Sequence, residues 1–240
     1  MPNRPKYPEK PERELKGIVR TNLDSPSPTA AQLDRKKRSI DAVKRLGLPA
    51  IDHLPVVEDE ATIKPRSTEE VGRRCLATLA CAVKGEGLEK EVVDEVVRTF
   101  SVAPHFSPNE RRFIGKAKPE RQELIDAAWG YECVHVFLWA LGHVKELKPP
   151  SSICDVATEA ALVRDLGPEG FFKQARLRPL AEILDAADLY YRLHWAAIDL
   201  RLKGKRSEAA DEGIIRERHR ALNWLIRYMG QEWDDVQTDT

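Results

Sequence analysis

The sequence has no excess of positive or negative charge. Its 240 residues include 39 lysines and arginines and 39 aspartates and glutamates, so the formal net charge at pH 7 is zero. A neutral molecule has no overall field that would draw it to nucleic acid or to an anionic membrane. Binding to either would need a local patch, and nucleic acid is therefore not an expected partner.

Cysteine is scarce, and its spacing excludes the usual metal and disulfide patterns. The four cysteines are Cys75, Cys81, Cys133 and Cys154, and no two of them form a C-x-x-C pair. Three lie within apolar helical patterns, which is typical of small buried side chains in a reducing compartment. We therefore expect no disulfide framework and no zinc knuckle, and we expect a cytoplasmic protein.

Long hydrophobic runs are absent as well. The longest stretch without a charged residue, Cys133 to Val144, has twelve residues, whereas a membrane-spanning helix needs about 18 or more. The N-terminal stretch from Met1 to Gly17 lacks the apolar segment of a secretory signal. The sequence predicts a soluble protein that does not enter a membrane.

Motifs that would name a reaction are also missing. The sequence contains no glycine-rich phosphate loop, no G-x-S-x-G elbow, no H-E-x-x-H pair and no EF-hand spacing. Cys133 lies among apolar residues, which would raise the pKa of its thiol rather than activate it. The sequence therefore assigns no reaction, and whether the protein is an enzyme stays open.

Composition divides the chain into three parts. Residues 1–28 are rich in proline, charged residues and serine, so we expect a disordered or loosely attached arm. Residues 29–229 form the predicted domain, and residues 230–240 form an acidic tail. The arm is mildly basic, as is the Arg35–Arg38 run. A solvated arm and a solvated helix face explain both features better than a nucleic-acid site.

Apolar residues in the domain recur at helical spacing, and no pair of strands with turn residues is found. The predicted fold is all-α, a single helical-bundle-like domain of about eight helices. We place these helices at about 29–46, 67–85, 88–100, 107–115, 119–143, 156–166, 179–204 and 212–229. Residues 48–65 carry three prolines and are expected to cross the bundle as an irregular segment.

Local signals support several of these helices. Ser67 and Ser107 each begin a capping-box pattern, with a glutamate three residues later. The second half of the 119–143 helix is apolar all round, which predicts a central helix covered on several sides. In the first helix, Leu33, Ile40 and Val43 are expected on the buried side.

One E-x-x-H pair lies on the predicted central helix. Glu132 and His135 share a helix face and have the spacing to ligate one metal ion. A di-metal bundle needs two such pairs, and the sequence has no second one. A hydrogen bond between the histidine and a glutamate in the core is favoured, and no metal or other cofactor is expected.

The 179–204 helix combines an apolar stripe with an adjacent polar stripe. Asp188 and Arg192 lie four residues apart on the polar stripe, so they are predicted to form an ion pair along the helix. His194 lies on the apolar stripe, where a hydrogen-bonded core histidine is more common than a catalytic one.

The last predicted helix carries the charge that most needs an explanation. Its predicted buried face consists of Ile214, Ile215, Leu222, Leu225 and Met229. Arg218 falls in the centre of this face. His219 and Asn223 lie on one edge of the face, and Glu217 and Trp224 lie on the opposite edge.

A guanidinium buried without a partner is strongly destabilising, so Arg218 is expected to meet a carboxylate. Glu132 and Asp188 are the candidates. A closed pair would be structural and would fix the register of the helices. An open guanidinium that faces a cavity would bind a carboxylate or a phosphate. The structural interpretation is preferred.

Several stretches of the chain together resemble the bacterial domain-of-unknown-function family 4272. They are ERHRALNWL at Glu217–Leu225, WDDVQTDT at Trp233–Thr240, HLPVVEDEA at His53–Ala61, YRLHW at Tyr191–Trp195 and WALG at Trp139–Gly142. The resemblance covers about Arg38 to Thr240 and leaves out the N-terminal arm. It implies relatives, but it brings no activity, cofactor or catalytic residue.

The preferred hypothesis is a non-catalytic cytosolic interaction or scaffold protein; a protein partner is compatible with it, but the sequence does not identify the partner. The alternative is a small-molecule protein, either an anion binder or an enzyme, with a pocket around Arg218, Glu132 and Arg192. The residues of that candidate site are Glu132, His135, Asp188, Arg192, Glu217, Arg218, His219, Asn223 and Trp224.

Overall fold

The structure, a computed structural model, describes residues 27–240; residues 1–26, which make up most of the predicted arm, lie outside the described part. The helices are α1 (Ala30–Arg45), α2 (Thr68–Gly85), α3 (Lys90–Thr99), α4 (Pro108–Gly115), α5 (Arg121–Ala128), α6 (Gly130–Ala140), α7 (Val156–Gln174), α8 (Leu180–Leu202) and α9 (Glu212–Leu225). Residues 27–240 contain no β-strand, which confirms the prediction of a single all-α domain.

Helices α2 and α6 form the centre of the molecule. Every residue of α6 from Tyr131 to Ala140 is buried, which confirms the central helix that the apolar pattern predicts. Gly85 at the end of α2 allows a close approach of α5, because a Cβ atom there would lie 2.5 Å from the backbone nitrogen of Ala128. Helix α9 packs on α6, α8 packs on α9, and α1 covers α8.

The predicted capping boxes are present. The hydroxyl of Ser67 accepts a hydrogen bond from the backbone nitrogen of Glu70, and the Glu70 carboxylate accepts one from the Ser67 nitrogen. Ser107 and Glu110 repeat this arrangement at the start of α4. Each box satisfies backbone donors that a helix start leaves without partners.

The proline-rich segment between α1 and α2 is irregular, as predicted. It attaches to the domain through the buried side chains of Leu48 and Leu54. Its carbonyl groups accept hydrogen bonds from charged side chains on two helices. Lys36 of α1 donates to the Leu54 oxygen at 2.8 Å, and Arg192 of α8 donates to the Pro55 oxygen at 3.0 Å. The segment therefore joins α1 to α8.

The helix predicted over 119–143 is divided into α5 and α6 at Trp129. The indole of Trp129 lies against Gly213 in the first turn of α9, where a Cβ atom would approach it to 2.9 Å. This division raises the number of α-helices in residues 27–240 to nine, against about eight predicted.

Two predicted buried residues are exposed. Leu33 is 51% exposed because it lies in the first turn of α1, ahead of Arg35, where the buried positions begin. Met229 is 57% exposed because α9 ends at Leu225. The chain then turns into the left-handed region at Arg227, with φ at 54°, so Met229 leaves the helical face.

The interpretation of Arg35–Arg38 as a solvated face is wrong for its first residue. Arg35 is only 3% exposed, and it donates to Glu60 at 2.9 Å and to Asp185 of α8 at 3.0 Å. Arg38 also donates to Asp185, at 2.6 Å. Long arginine side chains can bury their stems and still reach a carboxylate, and here they join α1 to α8.

The C-terminal segment, predicted as an acidic tail, packs on the domain. Trp233 is buried and lies edge-on to Trp224 of α9, with 6.0 Å between the ring centroids. The carboxylate of Asp234 accepts hydrogen bonds from the Ser107 hydroxyl at 2.6 Å and from the Asn109 nitrogen at 2.9 Å. The segment thus connects α9 to the start of α4.

Across residues 27–240, none of the helices combines the length and the apolar character needed to cross a membrane.

Candidate functional site

Arg218 is fully buried between α6, α8 and the segment that follows α6. Its Nε atom donates to Glu132 Oε2 at 2.8 Å. Its Nη1 atom donates to the Lys148 carbonyl oxygen at 2.6 Å and to the Tyr190 hydroxyl at 2.9 Å. The other oxygen of Glu132 accepts a hydrogen bond from the Cys154 nitrogen at 2.8 Å. The arginine is therefore held in a buried ion pair.

The electrostatics of this cluster favour the charged arginine. Burial by itself would lower the pKa of Arg218, but Tyr190 and Glu132 outweigh that effect and the pKa is raised. Burial raises the pKa of Tyr190, so its hydroxyl keeps its proton. The Nη2 atom of Arg218 is buried without a hydrogen-bond partner among the described residues, an arrangement that costs roughly 1–3 kcal/mol.

Asp188 and Arg192 form the predicted ion pair along α8. Two bonds join them, from Nη2 to Oδ1 at 2.7 Å and from Nε to Oδ2 at 2.9 Å, and both side chains are buried. Such two-point pairs are the strongest arginine–carboxylate contacts. Because Asp188 is occupied in this way, Glu132 is the carboxylate that meets Arg218.

His135 forms the predicted core hydrogen bond, but with a glutamate of another helix. Its Nδ1 atom lies 2.5 Å from Oε1 of Glu159 in α7, and both residues are buried. Glu132, which shares a helix face with His135, is directed to Arg218 instead. Within residues 27–240, no three histidine, cysteine, aspartate or glutamate side chains converge in a way that could hold a metal ion.

His219 of α9 is paired with His194 of α8. The two Nδ1 atoms are 3.1 Å apart, and both rings are buried, so one ring donates a proton to the other. Burial, together with the charges of Arg216 and Arg201, lowers the pKa of His194 to about 4. Burial and the neighbouring His194 hold the pKa of His219 well below its usual range. Both rings are therefore neutral at pH 7.

Asn223 and Trp224 bind the C-terminal segment and the chain before α2. Asn223 Nδ2 donates to the Gln237 carbonyl oxygen at 2.8 Å. The Trp224 ring lies 5.5 Å from the ring of Phe137, and the guanidinium of Arg66 lies over it at 4.7 Å. These two candidate residues hold parts of the chain together.

Glu217 is buried beside Cys133 of the central helix. The Cys133 thiol donates to the Glu217 carbonyl oxygen at 3.2 Å. Burial, with the nearby Glu217 carboxylate, raises the pKa of Cys133 well above its usual value. This thiol is protonated at neutral pH, as its apolar neighbours in the sequence predict, because the thiolate is the disfavoured form in such surroundings.

A groove of about 660 Å³ opens on the surface between α1, α8 and the segment 145–150. Its lining includes aliphatic side chains from both helices, among them Leu46, Leu189 and Leu193, together with the rings of Pro149 and Pro150. None of the residues that the sequence singled out as a candidate site lines this groove. In size it falls within the ~300–1,000 Å³ that ligand-binding clefts occupy.

The buried cluster lies directly beneath this groove. Tyr190 and Lys148 both line the groove. Arg218 donates a hydrogen bond to the Tyr190 hydroxyl and another to the Lys148 backbone carbonyl. Arg218 and Glu132 thus support the floor and one wall of the groove without being exposed in it. We call this arrangement the Arg218 support.

Sequence reasoning missed the groove and both residues that connect it to Arg218. One signal was available for Tyr190, since a tyrosine hydroxyl in a buried helix needs a partner. Pro149 and Pro150 indicated a chain that cannot be helical next to the central helix. The groove itself combines three segments that are distant along the chain, and no local pattern brings them together.

Comparison with known proteins identifies a family. Neither the curated proteins nor the solved structures include a match to this chain. The model of one family, described as a domain of unknown function (DUF4272), matches residues 35–236. The match extends from the middle of α1 into the C-terminal segment and covers most of the chain, which confirms the resemblance seen in the sequence. The chain therefore belongs to the DUF4272 family.

Proposed function

We propose that this protein is a non-catalytic interaction or scaffold protein that binds a partner protein in the groove between α1, α8 and residues 145–150. One observation carries the proposal. Inside the domain, the Glu132–Arg218 and Asp188–Arg192 pairs of the sequence-based site are closed, and the Glu217 carboxylate lies 3.6 Å from Arg220, whereas the groove presents aliphatic side chains and charges to solvent. Grooves of this composition accept the apolar face of a partner segment.

The arrangement of charges supports a protein partner over nucleic acid. Arg35 and Arg38, the two ends of the basic run on α1, are engaged by Asp185, and Lys36 between them donates to backbone carbonyl oxygens. A nucleic-acid site needs many basic side chains that are available to neutralise phosphates, whereas the groove offers three, Arg45, Lys145 and Lys148, beside the acidic Glu146. The groove instead combines apolar contact area with a few charges, as the centre and rim of a protein interface do.

We place this interaction in the cytoplasm. All four cysteines are free and buried. Burial is the largest cause that raises the pKa of each thiol. A chain that keeps four thiols unpaired and protonated fits a reducing compartment.

Site-specific photo-crosslinking tests the proposed function. A photoreactive phenylalanine analogue replaces Leu46, which is 36% exposed and lines the groove, or Leu88, which is 46% exposed and lies outside it. Irradiation of living source cells should give a discrete crosslinked partner from position 46 and none from position 88. Identical backgrounds from the two positions would contradict binding in the groove.

The alternative is an anion-binding protein or an enzyme with a pocket around Arg218, Glu132 and Arg192. One observation favours it, the state of a single nitrogen atom. Nη2 of Arg218 is buried without a partner among the described residues. An oxygen of a small anion would satisfy it, if the Arg218 support opened toward the groove. A thermal-shift screen with small carboxylates and phosphates tests this function. It requires a stabilising anion whose effect disappears in Arg218→Met and persists in the control Arg164→Met, which alters an exposed arginine.

A further inference from the structure

Several charges in the groove are already neutralised. Arg178 pairs with Glu182 at 3.0 Å, and its remaining nitrogens donate to backbone carbonyl oxygens. Asp185 pairs with Arg35 and Arg38. These five side chains have partners within the molecule, so they contribute little to the attraction of a ligand.

Four other charged side chains of the groove have no such partner. Arg45, Lys145, Lys148 and Glu146 are exposed, and within residues 27–240 none of these side chains forms a hydrogen bond or an ion pair. Three of these charges are positive and one is negative. A molecule that is neutral overall thus presents an excess of available positive charge around this groove. These four side chains form the rim of the groove. The rim therefore selects for a negatively charged occupant.

The walls of the groove repeat at helical spacing. Ala186 and Leu189, both half-buried, lie at positions i and i+3 of α8, and the buried Leu193 lies at i+7 on the floor of the groove. Ala42 of α1 and Leu46, which directly follows α1, are four residues apart. Each set forms one continuous row on its helix. Two such rows leave a channel between them that accepts the side-chain ridge of a third helix.

We infer that the occupant of the groove is an amphipathic helix of a partner protein, with an apolar stripe that enters the channel and acidic residues beside it that face Arg45, Lys145 and Lys148. This inference rests on the proposed function and specifies the partner. Apolar contact supplies affinity, and the cationic rim sets the preference for acidic over neutral or basic helices.

Designed peptides test the inference. Three fluorescent helices of about 18 residues, roughly five turns, share one leucine stripe and differ only in the flanking positions, which are all Glu, all Gln or all Lys. Binding to the full chain is followed by anisotropy at about 50 mM and about 300 mM salt. The Glu peptide should bind roughly tenfold tighter than the Gln peptide at low salt, and the Lys peptide should bind most weakly.

Matched variants locate the binding. Reversal of the rim charges, Arg45→Glu with Lys145→Glu and Lys148→Glu, should invert the order of the peptides. Reversal of three exposed lysines outside the groove, Lys37, Lys118 and Lys205, should preserve it. Ala186→Trp fills the channel and should remove binding, whereas Ala181→Trp, on an exposed position of α8 outside the groove, should not.

The outcomes separate this inference from the proposed function. If the Gln and Lys peptides bind as tightly as the Glu peptide and Ala186→Trp abolishes all three, the preference for acidic helices is overturned and the interaction function stands. If no peptide binds and photo-crosslinking at Leu46 also yields no partner, both fail.

Two further occupants are tested in parallel. If no helix binds but dodecanoate stabilises the wild-type chain against thermal unfolding and does not stabilise Ala186→Trp, the occupant is a small amphiphile and the inference is overturned. Leu88, two residues before α3, and Val92 of α3 are exposed beside Glu91 and Glu95. Sedimentation that shows self-association of the chain, lost in Glu91→Lys with Glu95→Lys, would replace the partner helix by a second copy.

Discussion

The interior between α6, α8 and α9 and the groove above it both hold positively charged side chains, but within residues 27–240 the charges have partners in the interior and none on the rim of the groove. Inside, Arg218 and Arg192 are buried and bound to Glu132 and Asp188. On the groove rim, Arg45, Lys145 and Lys148 are exposed and form no ion pair with another described residue. Buried charges must be paired to be tolerated, whereas exposed charges cost little and remain available for binding. The difference separates residues that maintain the fold from residues that can recognise a partner.

The largest expected effect comes from the interior. Arg218→Met should lower the free energy of unfolding by about 3–5 kcal/mol, because it leaves Glu132 buried without its cation. Adding Glu132→Gln should recover at least ~1 kcal/mol, since glutamine is neutral and still accepts from Cys154. Urea denaturation of both variants measures the difference. The exposed pair Arg164–Asp165 is the control, where Arg164→Met should cost less than about 1 kcal/mol.

If Arg218→Met lowers the free energy of unfolding by less than about 1 kcal/mol, the buried arginine contributes no more to stability than an exposed one. Such a result would also remove the reason to regard Arg218 as the support of the groove.

The second effect is acid destabilisation through the histidine pair. The pKa of His194 is lowered to about 4 in the folded protein, against about 6.5 in an unfolded chain. Below pH 6.5 the unfolded chain binds more protons, so stability is full at pH 7 and falls as the pH falls toward 4. The loss from His194 should reach about 2 kcal/mol at pH 5, and His219 adds to it in the same direction.

Urea denaturation at several values between pH 7 and pH 4.5 measures this loss. His194→Phe should flatten the dependence of stability on pH. His53→Gln, which alters an exposed histidine, should leave the dependence unchanged. A wild-type stability that stays constant from pH 7 to pH 5 would mean that the pair is solvated or already charged.

A smaller effect is expected at the boundary between the two regions. Tyr190→Phe removes the hydroxyl that accepts from Arg218, and it should cost about 1.5 kcal/mol because the bond involves a charged group. Tyr191→Phe is the control, since the Tyr191 hydroxyl makes no hydrogen bond among the described residues, and it should cost less than about 0.5 kcal/mol. Thermal or urea unfolding compares the two variants. Equal effects would show that Tyr190 does not connect the groove to Arg218.

The smallest effect on stability belongs to the rim. Replacement of Arg45, Lys145 and Lys148 by glutamine should change the free energy of unfolding by less than about 0.5 kcal/mol, because none of these exposed side chains forms a hydrogen bond or an ion pair with another described residue. Differential scanning calorimetry of the triple variant checks this. A loss above 1 kcal/mol would reveal that the rim cations stabilise the fold, and their availability for a partner would then be in doubt.

Local chemistry in the sequence predicted much of the fold. Capping boxes at Ser67 and Ser107 give the starts of α2 and α4, because a cap depends only on residues three apart. The Asp188–Arg192 pair follows from their spacing on one helix. The division at Trp129 was missed because this residue keeps right-handed helical backbone angles, φ −60° and ψ −20°, and only the hydrogen-bond pattern changes there.

Part of the site was also predictable. The position of Arg218 in the middle of an apolar face required a buried carboxylate, and Glu132 was one of two candidates. The periodicity of one helix cannot tell whether Arg218 meets Glu132 or Asp188. The outcome depends on Arg192, which already binds Asp188. The groove lay outside such reasoning altogether, since its walls come from α1, α8 and residues 145–150.

The sequence by itself determined the all-α character, most helix starts, the family and the presence of a charge that the core had to neutralise. These properties depend on residues within one or two helical turns of each other, where spacing and side-chain type are sufficient. The tertiary structure decided that Arg218 binds Glu132, that His219 meets His194, and that the unpaired cations gather beside an apolar groove. Each of these depends on how helices distant in sequence pack together, because only packing determines which side chains share a desolvated interior and which face water.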